Sequence, residues 1–161
     1  MKKISTFLFA SALAITSLSS CSSDDNSSAP QPQPQPENLL LGKWEMQKMD
    51  MKMEMGGNVV IDQQDVDTKT AGIIIEYDFK ANNTVEYYMY TPATPQQAEQ
   101  EQSGTATYTR NGDEITMTIN NPATYTIKVL NNTDLHLNMY QEDEVNGSQT
   151  SIDITQKFTK M

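Results

Sequence analysis

From Leu39 onward the chain alternates apolar and polar residues with period two, the spacing that puts every second side chain of a β-strand on one face. Ile73, Ile75, Tyr77 and Phe79 share one face of a predicted strand, and Val85, Tyr87 and Met89 share one face of the next. Ile115/Met117/Ile119, Tyr125/Ile127/Val129, Leu135/Leu137/Met139 and Ile152/Ile154 repeat the pattern. Between the runs stand Ala81-Asn82-Asn83-Thr84, Arg110-Asn111-Gly112-Asp113 and Asn131-Asn132-Thr133-Asp134, where Asn and Gly accept the positive φ of tight hairpins. Short strands at regular spacing predict an all-β fold over residues 39–161, an antiparallel up-and-down barrel of about eight strands. Closure removes the edges that an open sheet would expose. Thr94 to Gln102 breaks the rhythm: Thr94 fits an N-cap, Pro95 the first helical position and Gln97 the third, so a short surface helix or a loop is expected there.

Met46, Met49, Met51, Met53 and Met55 concentrate five methionines in ten residues. On a strand the last four line one face, with Asp50, Lys52 and Glu54 on the other, while Trp44 and Met46 fall on the opposite parity. For all of them to face inward, the strand must bulge near Gln47-Lys48. Two readings compete. Soft thioethers could bind Cu(I), or flexible methionines could soften a barrel wall that accepts apolar ligands of varied shape. The alternating charges favour the wall, because an inward-facing strand demands polar residues on its other face.

The amino terminus carries a different signal. Lys2 and Lys3 precede an apolar stretch from about Phe7 to Leu18, too short for a membrane span of roughly 20 residues and followed by polar Ser22 to Asn26. Leu18-Ser19-Ser20-Cys21 resembles the lipobox of bacterial lipoproteins, which implies cleavage before Cys21 and acylation of that residue. Several acyl chains would hold the protein stably on a membrane, since each buried CH₂ contributes about 0.8 kcal/mol. Asp24-Asp25 is similar to the export signal that takes many Bacteroidetes lipoproteins to the cell surface, so an outer-membrane, lipid-anchored and surface-exposed location is expected. Residues 27–37, in which proline and glutamine alternate from Pro30 to Pro36, favour an extended polyproline II spacer. The expected organisation is a signal peptide over 1–20, an acylated cysteine and Ser/Pro/Gln-rich linker over 21–38, and a barrel over 39–161.

Charge narrows the function. Without residues 1–20 the chain keeps 9 basic against 21 acidic residues, a net charge of about −12. Nucleic-acid binding needs clustered Lys and Arg and is not expected. Cys21 is the only cysteine, so the core must hold by burial without a disulfide. Asp62, Asp65 and Asp67 lie close together but lack the glycine and terminal glutamate of an EF-hand loop, and a solvated acidic loop is the simpler reading. His136 alternates with Leu135 and Leu137 and should face outward. No G-x-S-x-G elbow, H-E-x-x-H pair or phosphate-binding glycine loop occurs, and Glu142 and Glu144 are expected in a polar loop. Neither an enzyme nor a cofactor is expected.

Leu39-Leu40-Leu41-Gly42-Lys43-Trp44 resembles the G-x-W opening of lipocalin-like proteins, here the lipocalin-like domain of Bacteroidetes surface lipoproteins. The hairpin-like stretches Tyr77–Val85, Tyr108–Ile119 and Tyr125–Met139 extend the likeness over nearly all of residues 39–161. The resemblance implies that Gly42 and Trp44 close one end of the barrel, with Lys157 or Lys160 against the indole. Eight strands enclose an interior just wide enough to be filled by side chains or to hold one small ligand. The expected function is therefore non-enzymatic binding of a small apolar ligand. Met46, Met51, Met53, Ile73, Ile75, Tyr77, Tyr87, Met89, Met117, Tyr125 and Leu137 are the candidate wall. The alternative is an accessory lipoprotein with a filled barrel that docks on an envelope protein, and Cu(I) binding by the methionine strand is the third reading.

Overall fold

The structure, a computed structural model, describes residues 38–161 apart from Gln96 and Asn146; Cys21, the signal segment and the linker through residue 37 lie outside the described residues. Nine antiparallel strands follow one another: β1 (Gly42–Met55), β2 (Asn58–Asp67), β3 (Ile74–Phe79), β4 (Thr84–Thr91), β5 (Gln100–Asn111), β6 (Glu114–Met117), β7 (Ala123–Leu130), β8 (Asp134–Val145) and β9 (Ser148–Lys160). From β3 to β9 each pairs with its neighbour, and β9 pairs with β1 to close the ring. The other edge of β1 is shared: Gly42–Glu45 pair with β3, and Lys48–Met55 pair with β2. β2 and β3 thus occupy one position, interrupted by Thr68–Ile73, and the barrel has the expected eight.

Local sequence explains the turns. Gly56 and Gly57, with φ of 57° and 78°, supply the two left-handed residues of the β1–β2 hairpin. Asn83 takes φ 61° in the β3–β4 turn. At the β7–β8 turn the Asn131 side chain accepts from the amides of Thr133 and Asp134, each at 2.8 Å.

The apolar alternation packs inward as its periodicity predicts. Leu40, Trp44, Met46, Tyr77, Phe79, Val85, Tyr108, Ile115, Met117, Ile127, Leu135, Leu137 and Phe158 form one buried cluster. Rings meet at its centre: Tyr77 lies 5.3 Å from Phe158 and 6.0 Å from Phe79, and Phe79 stands edge-on to Tyr108 at 5.1 Å.

Four local expectations need revision. Glu142 and Glu144 stand in strand β8, paired with Ser151 and Gln149, rather than in a loop, because β8 runs on past the barrel along β9. The Asp62–Asp67 stretch is strand β2 rather than a loop; its residues are mostly exposed on both faces, which erases the alternation that reveals a half-buried strand. Thr94–Gln102 forms no described helix: Thr94 and Gln97 make an isolated bridge, and Gln100 already begins β5. In β7 a register shift between Ile127 and Val129 places Leu130, not Val129, against the core.

Packing at the ring cluster sets a clear expectation. Phe158→Ala should lower the unfolding free energy by about 3–5 kcal/mol, whereas Tyr140→Ala, at a side chain 56% exposed, should change it by less than about 0.5 kcal/mol. Urea denaturation followed by circular dichroism measures both, and equal losses would contradict a core at this end of the barrel.

Candidate functional site

The two ends of the barrel differ. At one, Trp44 is fully buried and its indole Nε1 donates to the Leu40 carbonyl at 2.8 Å. The Lys160 ammonium lies 5.1 Å from the ring centroid and donates to the Leu39 carbonyl at 3.3 Å. Gly42 holds φ +111°, and a Cβ there would meet Lys160 Cε at 3.2 Å. Of the two expected lysine partners, Lys160 is the one on the indole. This end is sealed.

Toward the other end the same wall loosens. Ile73, Ile75, Tyr87, Met89, Ile119 and Tyr125 pack against the core but remain only partly buried. Tyr87 pairs across strands with Tyr77 and with Gly104, where a Cβ would come within 3.0 Å of the Tyr87 hydroxyl. Glycine in mid-strand thus makes room for the ring. Gln102 donates to the Tyr87 hydroxyl at 3.3 Å and to Asn120 Oδ1 at 2.7 Å, and Asn120 returns a bond to Gln102 Oε1 at 3.1 Å. Beside them, a cleft of about 450 Å³ is lined by Met89, Thr91 and Glu99 to Gln102. Burial raises the phenol pKa of Tyr77 and, less deeply, of Tyr125; the nearby Tyr125 adds to the Tyr77 shift.

Strand β1 carries the wall upward. The pairing of Met46 with Phe158 and of Lys48 with Lys157 leaves Gln47 as an extra residue, the bulge its parity demands. Beyond it Met49, Met51, Met53 and Met55 sit opposite Gln156, Ile154, Ile152 and Thr150 of β9, which in turn face Leu137, Met139, Gln141 and Asp143 of β8. Beyond Asn138, β8 pairs only with β9, so β2, β1, β9 and β8 continue as a four-stranded ribbon. Cross-strand partners share a face, so the methionine row and the barrel interior form one continuous surface. Within it lie two polar exceptions: Gln156 Oε1 and Thr150 Oγ1 are buried without a hydrogen-bond partner among the described residues.

On the outer face, charges pair among themselves. Lys157 reaches Asp50 at 2.8 Å and Asp65 at 2.9 Å, and Lys48 lies 3.7 Å from Asp65. Asp65 takes φ 50° in a second bulge, where its amide donates to Asp50 Oδ1 at 2.8 Å. Partial burial pushes the Asp50 carboxyl up, but the Lys157 ammonium and the Asp65 amide outweigh it and hold the group below the ordinary aspartate range. The Lys157 hydrogen bond and charge lower Asp65 in the same way. Asp67 instead accepts the Thr70 amide, and Asp62 accepts Gln64, so the three aspartates do not converge. Among the described residues no group of three His, Cys, Asp or Glu side chains could hold a metal ion.

The candidate wall therefore divides by depth. Met46, Tyr77, Met117 and Leu137 are filled core, while Met51, Met53, Ile73, Ile75, Tyr87, Met89 and Tyr125 line the looser half. Gly42 and Trp44 stand at the plug. Sequence reasoning missed Gln102 and Gly104, which lie on a strand whose inward residues give no apolar alternation, and Gln156, a polar residue in the inward row of Ile152, Ile154 and Phe158. It also missed Thr68, fully buried with its hydroxyl donating to the Met46 carbonyl at 2.9 Å, which ties the interruption between β2 and β3 to β1.

Comparison with known proteins gives the following. A family model described as lipocalin-like domain matches residues 40–137. Among solved structures, the complex of bovine odorant-binding protein with a selenium-containing odorant is 17% identical, with 81% of this chain and 77% of that chain covered at a TM-score of 0.44. The complex of the same bovine protein with undecanal is 13% identical, with 83% and 77% covered at a TM-score of 0.41. No curated protein sequence matches the chain.

The outer ionic cluster sets a pH dependence. Asp50 and Asp65 carry depressed folded-state pKa values, so their contribution is present above the unfolded aspartate pKa and is lost as pH falls through the folded values. Lys157→Met should make the decline in melting temperature between pH 6 and 3 shallower than in the parent chain; parallel curves would remove the cluster from the stability account.

Proposed function

The chain belongs to the lipocalin-like domain family, and we propose that it is a non-enzymatic lipoprotein that binds one small apolar ligand in the looser half of its barrel. The observation that carries the reading is the unequal packing of one continuous interior. Trp44, Phe79 and Phe158 fill the sealed end, whereas Ile75, Tyr87, Met89 and Tyr125 stay partly open, with Met89 on a 450 Å³ cleft whose other lining residues, Thr91 and Glu99 to Gln102, are polar. Apolar walls with a few placed polar groups are what small-ligand sites require. Methionines extend the wall, and their unbranched thioethers adapt to ligands of different shape.

The anchor belongs to the same proposal. Its support is the lipobox-like Leu18-Ser19-Ser20-Cys21, the acidic pair Asp24-Asp25 and the proline-rich spacer, features similar to those of Bacteroidetes surface lipoproteins. Acylated Cys21 would hold the chain on the outer membrane, displayed at the cell surface. A second reading, an accessory protein docking on an envelope partner, draws its support from the filled end and from exposed Met55, Val59, Val60 and Tyr140.

Displacement of the fluorescent probe N-phenyl-1-naphthylamine tests the ligand reading. The parent chain should bind it, and Met51→Asp with Met53→Asp should weaken binding at least about tenfold, since a charge in the apolar wall loses its hydration. Equal binding by both proteins would leave the docking reading in its place. For the anchor, Cys21→Ser should abolish palmitate labelling and move the protein from the envelope to the soluble fraction; retained labelling would refute the lipid attachment.

A further inference from the structure

Gln156 introduces a hydrogen-bond acceptor among apolar neighbours. Its cross-strand partners are Met49 and Leu137, and its neighbours on the same face of β9 are Ile154 and Phe158, so its side chain stands at the boundary between the filled core and the methionine-lined half. Oε1 is buried and unpartnered, while the residue as a whole is only partly buried. The oxygen is therefore covered, and the cross-strand neighbour Met49 is a flexible side chain.

The cations of the described domain are all engaged elsewhere or placed outside. Lys43, Lys48, Lys52, Lys69, Lys80 and Lys157 pair with carboxylates of the outer face, Arg110 donates to the Gly112 carbonyl, Lys128 is exposed, and Lys160 sits on the Trp44 plug. A ligand carboxylate entering the mouth would meet an unpaired carbonyl oxygen and no positive charge. That excludes anions on electrostatic grounds, because a desolvated charge needs a partner.

Resting on the ligand reading above, we infer that the site selects an uncharged amphiphile: a hydrocarbon body bearing a hydroxyl that donates to Gln156 Oε1. The alkyl part lies along Met49, Met51 and Ile154. The hydroxyl supplies the donor that the amide oxygen lacks, so specificity comes from a mismatch buried at the edge of the core rather than from added contact area.

The test uses the full chain carrying Cys21→Ser, which removes acylation, and three matched probes measured by calorimetry at pH 8: 1-decanol, 1-methoxydecane and decanoate. The alcohol should bind about tenfold tighter than the ether, which keeps the shape and loses the donor, and tighter still than the carboxylate. In Gln156→Met the alcohol and ether should converge to within about twofold, with the ether unchanged and the melting temperature not lowered. An ether that matches the alcohol in the parent, a preference for decanoate, or an alcohol preference that survives Gln156→Met overturns the inference while leaving apolar binding intact. The parent comparison decides the matter even if the variant does not fold. If none of the three probes binds, the ligand reading fails and this inference fails with it.

Discussion

Strand β1 is the constraint on which the barrel depends. One edge pairs with β9 from Trp44 to Met55, and the other pairs first with β3 and then with β2, so the ring closes only through this strand. A strand that long must keep one face apolar throughout, and its sequence changes parity between Met46 and Met49. The extra residue at Gln47 restores it: without the bulge, Asp50, Lys52 and Glu54 would enter the interior and the methionines would face water. The outer face compensates, with Lys157 joining Asp50 to Asp65 across three strands at the level of a matching bulge in β2.

The same strand runs through both the tightly and the loosely packed parts of the interior. Below the bulge, Trp44 and Met46 belong to a tightly filled end in which the aromatic rings interlock. Above it, the wall is thioether, partly buried aliphatic groups and the Tyr87–Gln102–Asn120 network. Well-packed interiors specify one structure, and loosely packed ones accommodate guests. Substitutions at Phe158 and at Met51 therefore act on differently packed parts of one interior.

Much of this was legible from alternation alone. Ile73–Phe79, Val85–Met89 and Leu135–Met139 each announced a strand, and the methionine run announced both its face and the bulge near Gln47. The β2 segment did not, because an edge strand wetted on both faces shows no period, although Gly56-Gly57 ahead of it is a hairpin signal that physical reading could use. β5 was hidden for a related reason: its inward residues Gln102, Gly104 and Ala106 are polar or small, and Gly104 makes sense only through the Tyr87 ring beside it. No pattern along the chain could reveal that Gln156 would be left without a partner, since that depends on what three separate strands place around it.

Methyl resonances of the methionines offer the most direct test of the divided interior. With [methyl-¹³C]methionine labelling and titration of an apolar ligand, the account predicts shifts at Met49, Met51, Met89 and Met139, with Met46 and Met117 unmoved. Shifts at Met46 and Met117, or changes confined to Met55 at the exposed tip, would place the ligand in the sealed core or on the outer ribbon and contradict it.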